Sequence, residues 1–405
     1  MINPRPYQFD AARKTLAAIA ANKIPLLAMP TGTGKTVVTA LVCIKLLEQG
    51  GSPLIVVPFQ PLVAQMVQTF ARFGITDVGI IWSNNTDVSP TDRIVVAMAQ
   101  TIEKRGLCGY KPTHIFYDEA HRSAFRKAFE GCPFPTIPIT ATPYREDGRF
   151  NLDDYEYIQP LNISQAIAQG FLCDYDLYCP QMPDDEKLVP LPWLYQQWSM
   201  VQRSMSHTLL FGPNVAEVKR SAMYWSKMGS PSLIITDKTP SRPIGWDGIP
   251  EAKGIYPKCR EDAYKLFRLG YCKILHAVDT ISIGFDEPSA ECAILIRDSN
   301  VAWTTQAIGR VLRLSPGKTR AKIIDCLGAT LKVGHPKEIS DWRNLPQPSG
   351  KACDGCGYVL APYHDVCPKC FAPVRKGAGN GNGGQGRRER TTLSDFDYSR
   401  LTKIA

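Results

Sequence analysis

Gly32, Gly34, Lys35 and Thr36 stand together in the segment Met29-Pro30-Thr31-Gly32-Thr33-Gly34-Lys35-Thr36. This is the composition a phosphate loop needs. Glycines let backbone N–H groups turn inward around an anion, a lysine reaches the outer phosphate oxygens, and a hydroxyl holds Mg²⁺. Thr31, Gly32, Thr33, Gly34, Lys35 and Thr36 are therefore the candidate nucleotide-binding residues, with Thr36 also a candidate metal ligand. One position departs from the general pattern: its first glycine is replaced by Met29. The apolar run Leu26-Leu27-Ala28 precedes the loop and an apolar stretch from Val37 to Leu47 follows it. That order reads as strand, loop, helix.

Two further groups carry charge at useful spacing. Asp118 and Glu119 end the apolar run His114-Ile115-Phe116-Tyr117. The carboxyl end of a parallel strand is where α/β folds bind ligands. There Asp118 is expected to hold the metal through its water shell, and Glu119 to orient and deprotonate an attacking water. Gln306, Arg310 and Arg313 are spaced i, i+4, i+7, which predicts one shared helix face with Gly309 beside it. Two arginines on one face repel unless they meet an anion, so this face is expected to meet phosphate held by the other half of the chain. A fourth group is Cys353-Asp354-Gly355-Cys356 and Cys367-Pro368-Lys369-Cys370, two Cys-x-x-Cys knuckles with ten residues between them. Four thiolates at this spacing suit a closed tetrahedral Zn²⁺ site of the zinc-ribbon kind. So short a segment buries too little to fold alone, so metal binding is expected to stabilise it.

The elements that must position these groups follow from the apolar pattern. Candidate strands are 26–29, 54–57, 94–98, 114–117 and 136–140, alternating with helical patterns up to about residue 145. The alternation pauses between 144 and 169. It resumes with candidate strands at 208–211, 232–236, 273–278, 292–296 and 322–326. Strands alternating with helices imply parallel sheets covered on both sides. The expected fold class is therefore α/β, with two tandem parallel-sheet domains, a small cysteine module and a tail. The boundaries read as 1–148 for the first domain, 149–176 for a linker, 177–345 for the second domain, 346–376 for the zinc ribbon and 377–405 for a flexible basic tail. The run Gly377-Ala378-Gly379-Asn380-Gly381-Asn382-Gly383-Gly384-Gln385-Gly386 is linker in composition, and Arg387-Arg388-Glu389-Arg390 follows it.

Bulk properties fit this picture. The 405 residues allow two or three domains, and 44% hydrophobic with 21% charged residues is ordinary globular composition. No apolar run approaches the roughly 18 residues of a membrane span, and the N-terminus lacks an apolar signal core, so a cytoplasmic location is expected. The net charge of +9 is compatible with a polyanionic partner. Nine of the thirteen cysteines are scattered, mostly through apolar segments, and read as buried small hydrophobes in a reducing compartment.

The ordered set of motifs resembles a superfamily 2 helicase of the DEAH type, through Asp118-Glu119-Ala120-His121, close to the type III restriction helicase subunits and RadD-like bacterial and phage helicases. The resemblance covers about residues 1–345 and implies two RecA-like domains that close on ATP while nucleic acid crosses their surface. It implies that Arg5-Pro6-Tyr7-Gln8 reads adenine, with Gln8 the base contact and Arg5 beside it. Segments 57–65, 210–214 and 279–286 resemble motifs Ia, IV and V, and segment 97–101 resembles the strand-contacting motif that follows Ia. Thr140-Ala141-Thr142-Pro143 resembles the motif that links hydrolysis to strand contact. The implied activity is ATP-dependent DNA unwinding or translocation in replication, recombination or repair, with ATP, Mg²⁺ and Zn²⁺ as cofactors and DNA as partner. Replication or repair proteins are further partners that the ribbon or tail could dock, and the cell is bacterial or phage-infected. RNA as substrate, and a regulatory ATPase that binds nucleic acid without unwinding it, stand as alternatives.

Overall fold

A computed structural model describes residues 3–82, 85–89, 92–121, 134–144, 151–180, 188–201, 207–235, 260–278, 287–297, 299–333 and 335–345, with 351–353, 355, 359–360, 367 and 372–373. Two parallel sheets, each covered by helices, form the body of the chain. They are the two tandem RecA-like domains expected.

The first sheet has eight strands: β1 (Pro25–Ala28), β2 (Pro53–Val57), β3 (Gly79–Trp82), β4 (Asn85–Asp87), β5 (Val95–Met98), β6 (His114–Asp118), β7 (Thr136–Thr140) and β8 (Glu156–Ile158). Their spatial order is β4-β3-β5-β2-β6-β7-β1-β8, and every pairing is parallel except β3 with β4. Helices α1 (Pro6–Ala20), α2 (Lys35–Glu48), α3 (Gln60–Arg72) and α4 (Ala99–Arg105) connect and cover it. The continuous apolar runs of the central strands follow from burial on both faces. In β2, Ile55 and Val57 pack with Val38, Val42 and Phe70 on one side, while Leu54 and Val56 pack with Ile81, Val95 and Tyr110 on the other.

The second sheet has six parallel strands in the order β11-β12-β10-β13-β14-β9. They are β9 (Asp174–Tyr178), β10 (His207–Phe211), β11 (Ser232–Ile235), β12 (Ile274–Ala277), β13 (Ala290–Leu295) and β14 (Arg320–Asp325). Helices α5 (Ile163–Ala168), α6 (Leu191–Val201), α7 (Val215–Lys227), α8 (Arg260–Arg268), α9 (Val301–Gly309) and α10 (Ala329–Val333) accompany it. Leu209 and Phe211 of β10 enter one core with Leu266, Ala307 and Ile308, and Leu210 enters the other with Trp198 and Trp225.

The stretch read as linker, 149–176, is built into both sheets. β8 joins the edge of the first sheet through β1, reinforced by a Lys23–Glu156 ion pair, and β9 begins the second. Its polar, aromatic composition had masked two edge strands, where one side of the ladder faces out. Residues 336–345 then return to the first domain. Ile339 and Trp342 share an apolar cluster with Leu26 and Leu152 of the first domain and Val301 of the second. Gln159 donates to the Ser340 carbonyl at 3.0 Å, and the Arg343 guanidinium lies 5.1 Å from the Tyr157 ring centroid. The same segment is fixed to the second sheet by a Lys337–Asp174 ion pair and by His335 stacked on Tyr175. Beyond it, β15 (Lys351–Ala352) and β16 (Val359–Leu360) form an antiparallel hairpin. No helix among the described residues is long and apolar enough to cross a membrane.

Candidate nucleotide site

The phosphate loop leaves the carboxyl end of β1 and enters α2 at Gly34. Gly32 and Gly34 both have φ near +86°, a conformation that disfavours any residue with a Cβ. Gly34 caps α2 with no side-chain hydrogen bond, and the first turn holds no acidic residue. The N–H groups of that turn are thus not claimed by a side-chain cap, and the helix dipole favours an anion there. Lys35 is half-buried beside the loop, and its ammonium donates to the Met29 carbonyl at 3.3 Å. Burial pulls its pKa down, and the nearby Glu119 and Asp118 carboxylates push it back up.

The loop is held from behind by α1. Tyr7 donates its hydroxyl hydrogen to the Thr33 carbonyl at 2.6 Å, and Gln8 donates its amide to the same carbonyl at 3.0 Å. Gln8 Oε1 accepts from the Arg5 N–H at 2.8 Å, closing a capping box. Both ends of the Gln8 amide are therefore engaged with protein, so here it serves as a brace for the loop. Arg5 sits with its guanidinium 4.4 Å from the Phe171 ring centroid and its Nη1 3.3 Å from the Tyr7 hydroxyl.

Asp118 and Glu119 lie at the end of β6, beside the loop. Burial raises the pKa of the Asp118 carboxyl, adjacent Glu119 adds to that, and Lys35 opposes it. Glu119 has φ +57°, a strained conformation worth about 1 kcal/mol or more for a residue with a side chain. Its N–H donates to Asp118 Oδ1 at 3.0 Å, and its own Oε2 is buried with no hydrogen-bond partner among the described residues. His121 Nδ1 is 3.6 Å from that oxygen. An orphaned buried carboxylate oxygen at a strand end, next to a lysine and an open helix N-terminus, is what a water and a hydrated cation would satisfy. The side chains present fit Mg²⁺ and a nucleotide triphosphate.

The second domain closes over this loop. Thr31 touches the spot where a Cβ on Gly309 would sit, at 3.1 Å, and Leu172 and Arg313 lie 3.2 and 3.3 Å from a Cβ placed on Gly32. Gln306 donates to Thr142 Oγ1 at 2.7 Å and lies 3.2 Å from His121 Nε2, while His121 Nδ1 is 2.9 Å from Thr140 Oγ1. Arg310 is 5% exposed; burial lowers its pKa and the Glu119 and Asp118 carboxylates raise it. Burial brings Arg313 down to about 10.

One expectation is corrected here. Gln306, Arg310 and Arg313 do not share a helix face, because α9 ends at Gly309. The backbone tightens into i→i+3 bonds, with Arg310 N–H on Ala307 O at 3.2 Å and Val311 N–H on Ile308 O at 3.0 Å, and Arg313 follows in the turn beyond. The three residues still converge on the phosphate loop and its flanking motifs. Sequence reasoning missed the contact roles of Tyr7, Leu172 and His121. Tyr7 and His121 carried a signal, as members of Arg5-Pro6-Tyr7-Gln8 and Asp118-Glu119-Ala120-His121; Leu172 carried none.

Of the other expected motifs, the segments 57–65, 97–101 and 210–214 sit where β2, β5 and β10 pass into α3, α4 and α7. The segment 279–286 lies outside the described residues, as do Cys356, Cys370 and the tail from 377 to 405. Cys353 and Cys367 are buried, and the Gly355 N–H points at Cys353 Sγ from 3.4 Å.

Comparison with known proteins agrees with this architecture. Residues 1–145 match the family described as type III restriction enzyme, res subunit. A 51.5 kDa protein of Lactococcus phage (isolate 7-9) is 26% identical over 368 residues, covering 85% of this chain and 74% of the relative. IRC3 of Saccharomyces cerevisiae, an assigned ATP-dependent helicase, is 25% identical over 373 residues, covering 80% of this chain but only 52% of its own. Among solved structures, a fragment assigned as the HsdR subunit of a type I restriction enzyme from Vibrio vulnificus YJ016 superposes with a TM-score of 0.60 at 22% identity, over 82% of this chain and 66% of that one. The ATP-dependent type ISP restriction-modification enzyme LlaBIII, bound to DNA, gives 0.57 at 16% identity, over 83% of this chain and 29% of that one. Two RecA-like domains, with a phosphate loop on one and an arginine turn from the other, are the fold this chain shares with those solved structures. The chain spans about half of the yeast relative and less than a third of the restriction-modification enzyme.

Proposed function

We propose that the chain is an ATP-dependent DNA helicase or translocase of the DEAH type. The observation that carries the reading is convergence. Gln306, Arg310 and Arg313 of the second domain meet Gly32, His121, Thr142 and the Asp118–Glu119 pair of the first. Residues so far apart in sequence have no structural need of one another at a phosphate loop unless closure is part of the reaction.

In this reading the loop N–H groups and Lys35 bind the β and γ phosphates of ATP, and Thr36 with Asp118 hold Mg²⁺. The bound metal supplies Lewis-acid polarisation of the phosphate oxygens. Glu119 Oε2, buried and without a hydrogen-bond partner among the described residues, accepts a proton from the attacking water. Arg310 and Arg313 deliver positive charge where negative charge grows on the transferred group. His121 relays the state of this site to Thr140 and through Gln306 to the second domain, which ties hydrolysis to domain movement. Nucleic acid is expected along the segments 57–65, 97–101, 210–214 and 279–286, by backbone contacts that carry no sequence information.

Cys353, Cys356, Cys367 and Cys370 are proposed to hold one structural Zn²⁺. A backbone N–H directed at a buried cysteine sulfur, at the end of a short hairpin, is the kind of support that steadies a ligating thiolate. The whole is tested by DNA-stimulated ATP hydrolysis and strand displacement on forked, flapped and duplex DNA, with matched RNA substrates alongside. Displacement of DNA strands is the expected result. Displacement of RNA alone would move the substrate assignment, and stimulated hydrolysis without displacement on any substrate would leave a regulatory ATPase.

A further inference from the structure

Arg313 lies in an irregular turn, yet the backbone on both sides of its side chain is fastened. The Leu312 carbonyl accepts from the Cys173 N–H at 2.7 Å. The Arg313 carbonyl accepts from Lys318 Nζ at 2.8 Å. The same ammonium donates to the carbonyls of Ala290 at 2.6 Å and Pro288 at 3.2 Å, where the chain enters β13. An ammonium has three donors and no acceptor, so three carbonyls satisfy it in full. Lys318 reaches them from a tight turn, with its own N–H on the Ser315 carbonyl at 3.1 Å and Gly317 at φ +78°. No carboxylate takes part in these bonds. The cation is used to tie one stretch of backbone to another.

We propose that Lys318 is a positioning residue for hydrolysis: it clamps the Arg313 carbonyl to the entry of β13 and so fixes the turn from which Arg313 reaches Gly32. The inference rests on the role given above to Arg313 in turnover. A side chain delivered from a helix is located by the helix itself, whereas one delivered from a turn needs its backbone held by other means. Placement matters to the rate, because misplacement by about 1 Å can cost on the order of a hundred-fold. Burial also brings the Lys318 ammonium down to about 8, with Cys173 and Glu291 pushing it up and Arg313 pushing it down. Loss of its proton leaves two donors for three carbonyls, so the clamp loosens as pH rises past that value.

The test is steady-state ATP hydrolysis by the full chain with saturating single-stranded DNA, for the parent, Lys318→Met, Lys318→Arg, Arg313→Ala and Arg313→Ala with Lys318→Met. Lys318→Met is expected to lower kcat on the order of ten- to a hundred-fold while KM for ATP stays within about two-fold. Lys318→Arg should recover most of the loss, and Lys318→Met should add nothing once Arg313 is gone. An equal loss in both backgrounds would make Lys318 structural and overturn the proposal, and so would parent turnover in Lys318→Met. If Arg313→Ala itself runs at the parent rate, the reading of Arg313 falls and that of Lys318 with it. A slow Arg313→Ala beside an unaffected Lys318→Met removes Lys318 alone. Should Lys318→Met lose its cooperative melt, the pH profile decides. A fall in kcat above about pH 8 that Arg313→Ala lacks supports the clamp, and matching profiles overturn it.

Discussion

The two sheets share an architecture, yet two of their strand-to-helix connections do opposite things. In the first domain, β1 passes through two left-handed glycines into α2, whose first turn has neither a side-chain cap nor an acidic residue. In the second, β10 passes through Gly212 and Pro213 into α7. There Asn214 caps the helix by accepting the Glu217 N–H at 2.9 Å, and Glu217 adds a negative charge to the first turn. An anion drawn to the first helix end is repelled from the second. Val218 also fills the space above Gly212, 2.5 Å from where a Cβ would lie. A RecA-like sheet is thus not a nucleotide site by virtue of its topology. The loop decides, and the second domain, relieved of phosphate binding, contributes arginines instead.

The sharpest way to break this comparison is to disable the first domain's chemistry. Lys35→Ala is expected to reduce ATP turnover to background and weaken nucleotide binding. Glu119→Gln is expected to bind ATP like the parent while turnover falls by roughly 10²- to 10⁴-fold. Nucleotide affinity and turnover measured on both decide it, and parent turnover in Glu119→Gln would remove Glu119 as the base. Next in size, Arg310→Ala and Arg313→Ala should each slow DNA-stimulated turnover on the order of 10³-fold with little change in ATP affinity. Equal losses in affinity and turnover would place the arginines in ground-state binding.

A smaller effect concerns acid. His276, on β12 of the second sheet, is fully buried between Ser221 and Ser232, and burial holds its pKa down to about 3. Between that value and the unfolded value near 6.5, the unfolded chain binds a proton that the folded chain refuses. Stability therefore falls with falling pH across this window, by up to about 1.4 kcal/mol per pH unit. Unfolding curves at pH 7 and pH 5 should show it, and His276→Gln should flatten the difference. The smallest prediction tests the closed helix end itself. Asn214→Ala should cost about 1 kcal/mol of stability and leave ATP affinity unchanged. A changed affinity would mean that the two connections are less separate than their geometry implies.

Much of the nucleotide side was legible because it is local. Glycines, lysine and hydroxyl lie within eight residues, and the central strands announce themselves by unbroken apolar runs such as Leu54–Val57 and Leu209–Phe211. What escaped was edge and closure. β4, β8 and β9 are short or polar, since an outer strand need not be apolar throughout, and β3 beside β4 is only four residues long. The end of α9 at Gly309 escaped because the spacing of Gln306, Arg310 and Arg313 fits a helix as well as it fits a helix followed by a turn. Tyr7, Leu172 and Lys318 act through backbone carbonyls and glycine surfaces, and no residue pattern records which carbonyl a distant hydroxyl or ammonium will find.

The return of residues 336–345 to the first domain has a mechanical meaning. A panel hung at one point can swivel in any direction, while a panel hung at two turns about the line between them. The chain crosses the boundary between β8 and β9, and it returns across it at 336–345, where Trp342, Ile339 and the Gln159–Ser340 bond fasten it. Domains parting with both fastenings intact would turn about the line between them, and the arginine turn would swing along one arc toward and away from the loop. Release of the second fastening would free the joint to twist as well as swing.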